Sequence, residues 1–215
     1  MYDPQSLIFR SAASWSVGTA LVVLAVGLLY TLQGFRFARF LLALSCASGG
    51  LLFGGFAGVL FGHPVTGALF AAAALAVVAL TRRRVSLALA SAFTFGTVGQ
   101  YLGVQLGLRP DMSWVVGGLG AAAGLSLVWL YRRTLPIIVT TVQGSGLLVV
   151  GFVALATAVA PTLGQTFVEW ASRIPLMVPA LMLMLCIVGY SFQANARQGN
   201  IETGESHGWN DLEAS

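Results

Sequence analysis

Lysine is missing from this 215-residue chain, charged residues make up only 8% of it, and its apolar stretches carry no Asp, Glu, Arg or His in their interiors. Each absence closes off a class of chemistry. Without lysine the chain can form no retinal Schiff base and complete no Walker phosphate loop. Without an ionisable side chain inside the apolar stretches there is no proton relay, counter-ion or gating charge of the kind pumps and voltage sensors use, so proton-coupled transport is disfavoured. The two histidines, His63 and His207, are far apart, and the two cysteines, Cys46 and Cys186, lie in apolar stretches without ligand spacing. Neither pair suggests a metal site or a thiol motif; no cofactor is expected, and the cysteines read as packing residues. Gln143-Gly144-Ser145-Gly146 has the outline of an intramembrane serine protease motif, but Gln stands where that motif wants Gly, and no histidine lies on another span. No nucleophile and base pair can be named, so an enzyme is not expected.

What is abundant is apolar surface. Hydrophobic residues make up 57% of the chain, and a typical soluble domain carries about 25% charged side chains, far above the fraction here. At about 20 apolar residues per crossing, the length accommodates roughly seven spans with short loops. The stretches run Trp15 to Leu32, Phe40 to Phe61, Val65 to Leu80, Val85 to Leu106, Met112 to Leu130, Ile137 to Ala160 and Leu176 to Phe192. Pro64, Pro110, Pro136 and Pro175 stand at or before helix starts, where a missing N–H costs little. Trp15, Tyr30, Trp114, Trp129, Tyr131 and Tyr190 fall at span ends, as headgroup-level aromatics do. The expected fold class is an all-α integral membrane protein, a seven-transmembrane-helix bundle.

All eleven basic residues are Arg, grouped between the apolar stretches, which is a topology signal and not a nucleic-acid surface. Arg36, Arg39, Arg82, Arg83, Arg84, Arg132, Arg133 and Arg197 fall on one side of the spans; Arg10, Arg109 and Arg173 fall on the other. The first set is expected in the cytoplasm, giving an N-out/C-in protein of the plasma (cytoplasmic) membrane. The turn arginines could also hold anionic lipid head groups. Residues 1–14 are read as an extracytoplasmic segment that is not cleaved, 15–194 as the transmembrane domain, and 195–215 as a flexible acidic tail. Within the domain, 161–175 is too polar to cross and places Leu163, Phe167, Trp170 and Ile174 on one helical face. It is expected to lie as a short helix in the outer interface.

The Arg turns at Arg36/Arg39, Arg82 to Arg84 and Arg132/Arg133 recur every 45 to 50 residues, each followed by a glycine-rich run: SGGLLFGGFAG, FGTVGQYLG and QGSGLLVVG. This suggests three hairpins in one orientation plus a seventh helix. The glycines keep helical spacing: Gly50, Gly54, Gly58 and Gly62 on the second span, Gly96, Gly99, Gly103 and Gly107 on the fourth, and Gly117, Gly120 and Gly124 on the fifth. Such grooves let backbones approach, and the tightest contacts are expected among spans two, four and five. Packing within one subunit, a glycine-lined pore and a homo-oligomer seam all fit this pattern. Inside the spans Gln100 and Gln143, with Thr140 and Ser145, read either as interhelical hydrogen-bonding residues or as the lining of a polar cavity.

The stretch LLYTLQGFRFARFLLALSCASGGLLFGGFAG and the sixth span, RRTLPIIVTTVQGSGLLVVG, resemble the seven-helix family typified by transmembrane protein 198. That family joins its first helices by an aromatic-Gly-basic turn, here Gly34, Arg36 and Arg39. The resemblance implies a non-enzymatic integral membrane protein, with a shorter tail here than in animal members. Two functions are then expected in order: a membrane scaffold or assembly protein acting through lateral helix contacts with copies of itself or another membrane protein, and a passive channel or facilitator lined by small-residue faces of spans two, four and six.

Overall fold

The computed structural model describes residues 14–34, 36–131, 134–174 and 176–202. Regular structure among them is entirely helical: α1 (Val17–Gln33), α2 (Ala38–Leu60), α3 (Pro64–Thr81), α4 (Arg83–Gln105), α5 (Pro110–Leu130), α6 (Leu135–Val159), α7 (Pro161–Arg173) and α8 (Met177–Glu202). Six of these, α2 to α6 and α8, are long and apolar enough to cross a membrane, and α1 is a shorter apolar helix of 17 residues. Large side chains stay bare along them, Phe56 and Phe70 at 79% exposure and Trp129 at 77%. Water would penalise that surface heavily, whereas hydrocarbon solvates it. The chain is an integral membrane protein.

Helix starts follow the proline chemistry: Pro64, Pro110, Pro136 and Pro161 occupy the first or second helical position. Two of the expected packing glycines have another role. Gly62 and Gly107 adopt φ of +75° and +73° and would place a Cβ in open space. Each ends its helix in a Schellman turn: His63 N donates to Gly58 O and Gly62 N to Val59 O, and Leu108 N donates to Gly103 O and Gly107 N to Val104 O. The left-handed backbone, and not a close approach of helices, requires glycine at these two sites.

The other glycines set up antiparallel pairs. A Cβ on Gly50, Gly54 or Gly58 would lie 2.7, 2.5 and 2.6 Å from the carbonyl oxygens of Ala71, Gly67 and His63, so α2 and α3 meet backbone to backbone. On α4, Gly99 would meet Val116 O at 2.8 Å, Gly96 would meet Ala121 and Gly103 would meet Ser113; from α5, Gly124 would meet Ser91 O at 2.6 Å, and Gly117 and Gly120 also face α4. The expected three-helix seam among α2, α4 and α5 is therefore two separate hairpin seams, α2 with α3 and α4 with α5. Consecutive helices joined by short turns reach each other first, and each glycine row faces its own partner.

The third pair is not consecutive. The helix α6 packs along α1: a Cβ on Gly27 would lie 2.8 Å from Leu148 N, one on Gly151 would lie 2.9 Å from Leu24 N, and Gly144 faces Thr31. The helices α2, α4 and α6 also touch one another, and each has a glycine-row partner outside them, α3, α5 or α1, with α7 and α8 packing on α6 as well. They share a strict register of 49 residues: Ala38, Leu87 and Pro136; Leu41, Ala90 and Val139; and Leu42, Ser91 and Thr140 are all buried. These three layers form the core at the end of the bundle where α2, α4 and α6 begin.

The helix α7 is amphipathic. Ala171 and Gly164 face the bundle and Phe167 meets Phe152 edge to face at 6.2 Å, while Leu163, Trp170 and Ile174 remain exposed. The helix α8 continues past Phe192 to Glu202, so the first part of the expected flexible tail is helical; Gln, Ala and Arg in that stretch are good helix formers. It is fastened by Gln193, fully buried, whose Nε2 donates to Tyr30 O at 2.9 Å and Thr31 O at 2.8 Å. Residues 1–13 and 203–215, which hold most of the expected N-terminal segment and the rest of the tail, lie outside the described residues.

Candidate functional site

Just beyond the three buried layers, α2, α4 and α6 separate around a partly open cavity of about 670 Å³, whose wall is completed by α1 and α8. Its lining repeats with the same 49-residue register: Ser45, Thr94 and Gln143 form one layer, and Ser48, Thr97 and Gly146 the next, one turn further along. None of the lining residues is Asp, Glu, Arg, Lys or His. Trp15 near the start of α1, Val104 at the end of α4 and Val178 at the start of α8 mark the end towards which the cavity runs. At the opposite end, Leu41, Ala90 and Val139, each at most 1% exposed, close it with aliphatic side chains.

The floor is a hydrogen-bonded set drawn from all three inner helices. Ser45 Oγ donates to Gln143 Oε1 at 2.5 Å, with Leu41 O a second acceptor at 2.8 Å. Gln143 Nε2 donates to Thr94 Oγ1 at 2.7 Å, and Thr94 Oγ1 donates to Ala90 O at 2.7 Å. Tyr30 OH, from α1, donates to Leu41 O at 3.0 Å. Tyr30 is thus buried beneath the cavity, not at the headgroup level where an aromatic near a span end is expected. A primary amide carries two N–H donors and two acceptor lone pairs. Gln143 uses one donor on Thr94 and one acceptor on Ser45, and its half-buried side chain borders the cavity.

Of the four residues expected as polar lining, Gln143 and Gln100 line the cavity, with Gln100 about two helical turns beyond Thr94. Thr140 and Ser145 do not. Both are fully buried on other faces of α6: Thr140 Oγ1 donates to Pro136 O and lies against Gly34, and Ser145 Oγ donates to Val142 O. Ser45, Ser48 and Gln193 were not singled out by sequence, and Tyr30 was read only as a span-end aromatic. Ser45 had a signal, since it lies 49 residues before Thr94 as Gln143 lies 49 after it. Among the described residues, no group of three or more His, Cys, Asp or Glu is placed to hold a metal ion.

The Arg turns gather at the closed end. Arg36 and Arg82 are exposed in the turns before α2 and α4, Arg39 and Arg84 are exposed in the first turns of those helices, and Arg83 opens α4. Arg132 and Arg133 lie outside the described residues. Compared with family models, with curated proteins and with solved structures, the chain matches none.

Proposed function

We propose that the protein gives a small uncharged solute passive passage across the plasma membrane, with the cavity between α2, α4 and α6 as its vestibule. The observation that carries this reading is the convergence of Ser45, Thr94 and Gln143, register-equivalent residues of three helices, on the floor of a cavity lined without charge. Sequence alone ranks a scaffold first; the cavity favours the facilitator. In this reading α1 is the seventh span. Its 17 residues reach about 26 Å, within the range of short crossings. The exposed Arg turns then face the cytoplasm beside anionic lipid, the cavity opens outward, and the bare face of α7 rests in the outer interface. Membership of the family typified by transmembrane protein 198 belongs to the same proposal.

One observation favours the scaffold reading: within α3 only Ala79 is buried, and away from the α2 seam Val65, Leu69, Phe70, Val77 and Leu80 stay exposed, a bare face for a copy of this chain or another membrane protein. Flux of ions and small solutes into liposomes holding the purified protein separates the two. Flux that falls in Gln143→Leu and in the cavity-filling Gly146→Leu supports passage. Vesicles that stay tight to every solute support the scaffold.

A further inference from the structure

We infer that the cavity binds a neutral amphiphile carrying a hydroxyl head on an unbranched apolar tail, with the head on the Gln143 amide and the tail directed towards Trp15 and Val104. The location rests on the proposed vestibule; the ligand chemistry rests on the lining itself.

The head follows from what Gln143 has left to offer. With one N–H on Thr94 and one lone pair on Ser45, its amide retains one donor and one acceptor site. A hydroxyl is the smallest group that accepts and donates at once, so it satisfies both through one oxygen. A hydrocarbon satisfies neither. A carboxylate accepts but cannot donate, and it brings a charge into a space with no cation on its wall. The tail follows from the remaining wall, which is mostly apolar: Val98, Leu147, Val150, Val178 and Met182 outnumber the neutral polar side chains of Ser48, Thr97 and Gln100. From the level of Thr94 to that of Val104 the helix rises about 15 Å, room for a medium-length chain. The volume of about 670 Å³ lies within the span usual for small-molecule pockets.

Gly146 supplies the control. A Cβ added there meets only Met182 Cε, at 3.4 Å, so Gly146→Leu fills the cavity while leaving the backbone and the floor hydrogen bonds in place. The experiment is thermal unfolding of the purified protein in lipid nanodiscs with 1-nonanol, nonane or nonanoate. Nonanol is expected to raise the unfolding midpoint saturably, by ~3 to 6 °C at tenfold over its dissociation constant, and nonane and nonanoate are expected to leave it unchanged. Gln143→Leu and Gly146→Leu are expected to lose the nonanol response. An equal shift with nonane, a nonanol shift that survives in Gly146→Leu, or no shift with nonanol overturns the inference. Liposome flux on the same proteins keeps the two readings apart: flux without a nonanol-specific shift removes this inference alone, and the shift without flux removes the proposed passage alone.

Discussion

Ser45 on α2 and Thr94 on α4 stand at the same place in two copies of a 49-residue unit and hold opposite ends of one amide, that of Gln143 on α6. The third copy thus supplies the connector that the first two lack, and the three inner helices are joined at a single level. Interhelical hydrogen bonds in membranes average only about 0.6 kcal/mol, so the set positions its members more than it stabilises the bundle. Gln143→Leu is accordingly expected to lower stability by about 1 kcal/mol in detergent while abolishing solute flux. Unfolding midpoints and flux measured on the same preparation check this, and loss of both in proportion would reduce Gln143 to a packing residue.

Glycines of similar sequence pattern are expected to respond differently to one substitution. Gly54→Leu must displace the α3 backbone at Gly67 O, and Gly103→Leu must displace Ser113 on α5, whereas Gly118 has nothing within 4 Å. Overpacking costs typically ~1 to 3 kcal/mol, so Gly54→Leu and Gly103→Leu should lower the unfolding temperature in detergent and Gly118→Leu should leave it unchanged. If all three unfold alike, the backbone contacts of α2 with α3 and of α4 with α5 do not hold the bundle together.

The layer of Leu41, Ala90 and Val139 is the closed end of the cavity. Val139→Ala removes two methyl groups from a fully buried site and leaves a void in place of their packing contacts. In the facilitator reading this thins the barrier, and a several-fold rise in the leak of small neutral solutes through proteoliposomes is expected. Unchanged leak with unchanged fold would place the barrier elsewhere.

Gln193 ties α8 to the carbonyls of Tyr30 and Thr31, and Cys186, on the same helix, lies 3.4 Å from Thr141 Oγ1. Gln193→Leu is expected to loosen α8 and to speed modification of Cys186 by a membrane-permeant maleimide several-fold, with Cys46, buried on α2 with its thiol on the Ser86 carbonyl of α4, as a slow internal reference. Equal rates in wild type and variant would mean that α8 is held by its apolar contacts alone.

The positions of the helices were legible in the sequence because hydropathy and proline chemistry act locally: six expected spans coincide with a helix to within two residues, and the seventh starts where expected but runs ten residues past Phe192. Partnership was harder to read. Glycine rows on α2, α4 and α5 announce close approach but not to which neighbour, and the row on α6 is answered by Gly27, which sits far away on α1. The floor of the cavity was half legible. Glutamine in an apolar helix is conspicuous, while Ser45 and Thr94 resemble the back-bonded Ser and Thr common in membrane helices. Only the strict 49-residue register, finer than the loose period of the Arg turns, separates them from the rest.

The pairing of α6 with α1 bears on how the bundle is made. In the other two pairs the groove and the helix that fills it leave the ribosome one after the other, but α1 must wait until more than a hundred further residues have been synthesised before its groove on α6 exists. Until then its face with Gly27 has only lipid or an insertion factor beside it, while Tyr30 at its other end can already reach Leu41 O on α2. The first helix made is the last of the six to be walled in, so a chain that stops short of α6 leaves the Gly27 face of α1 uncovered.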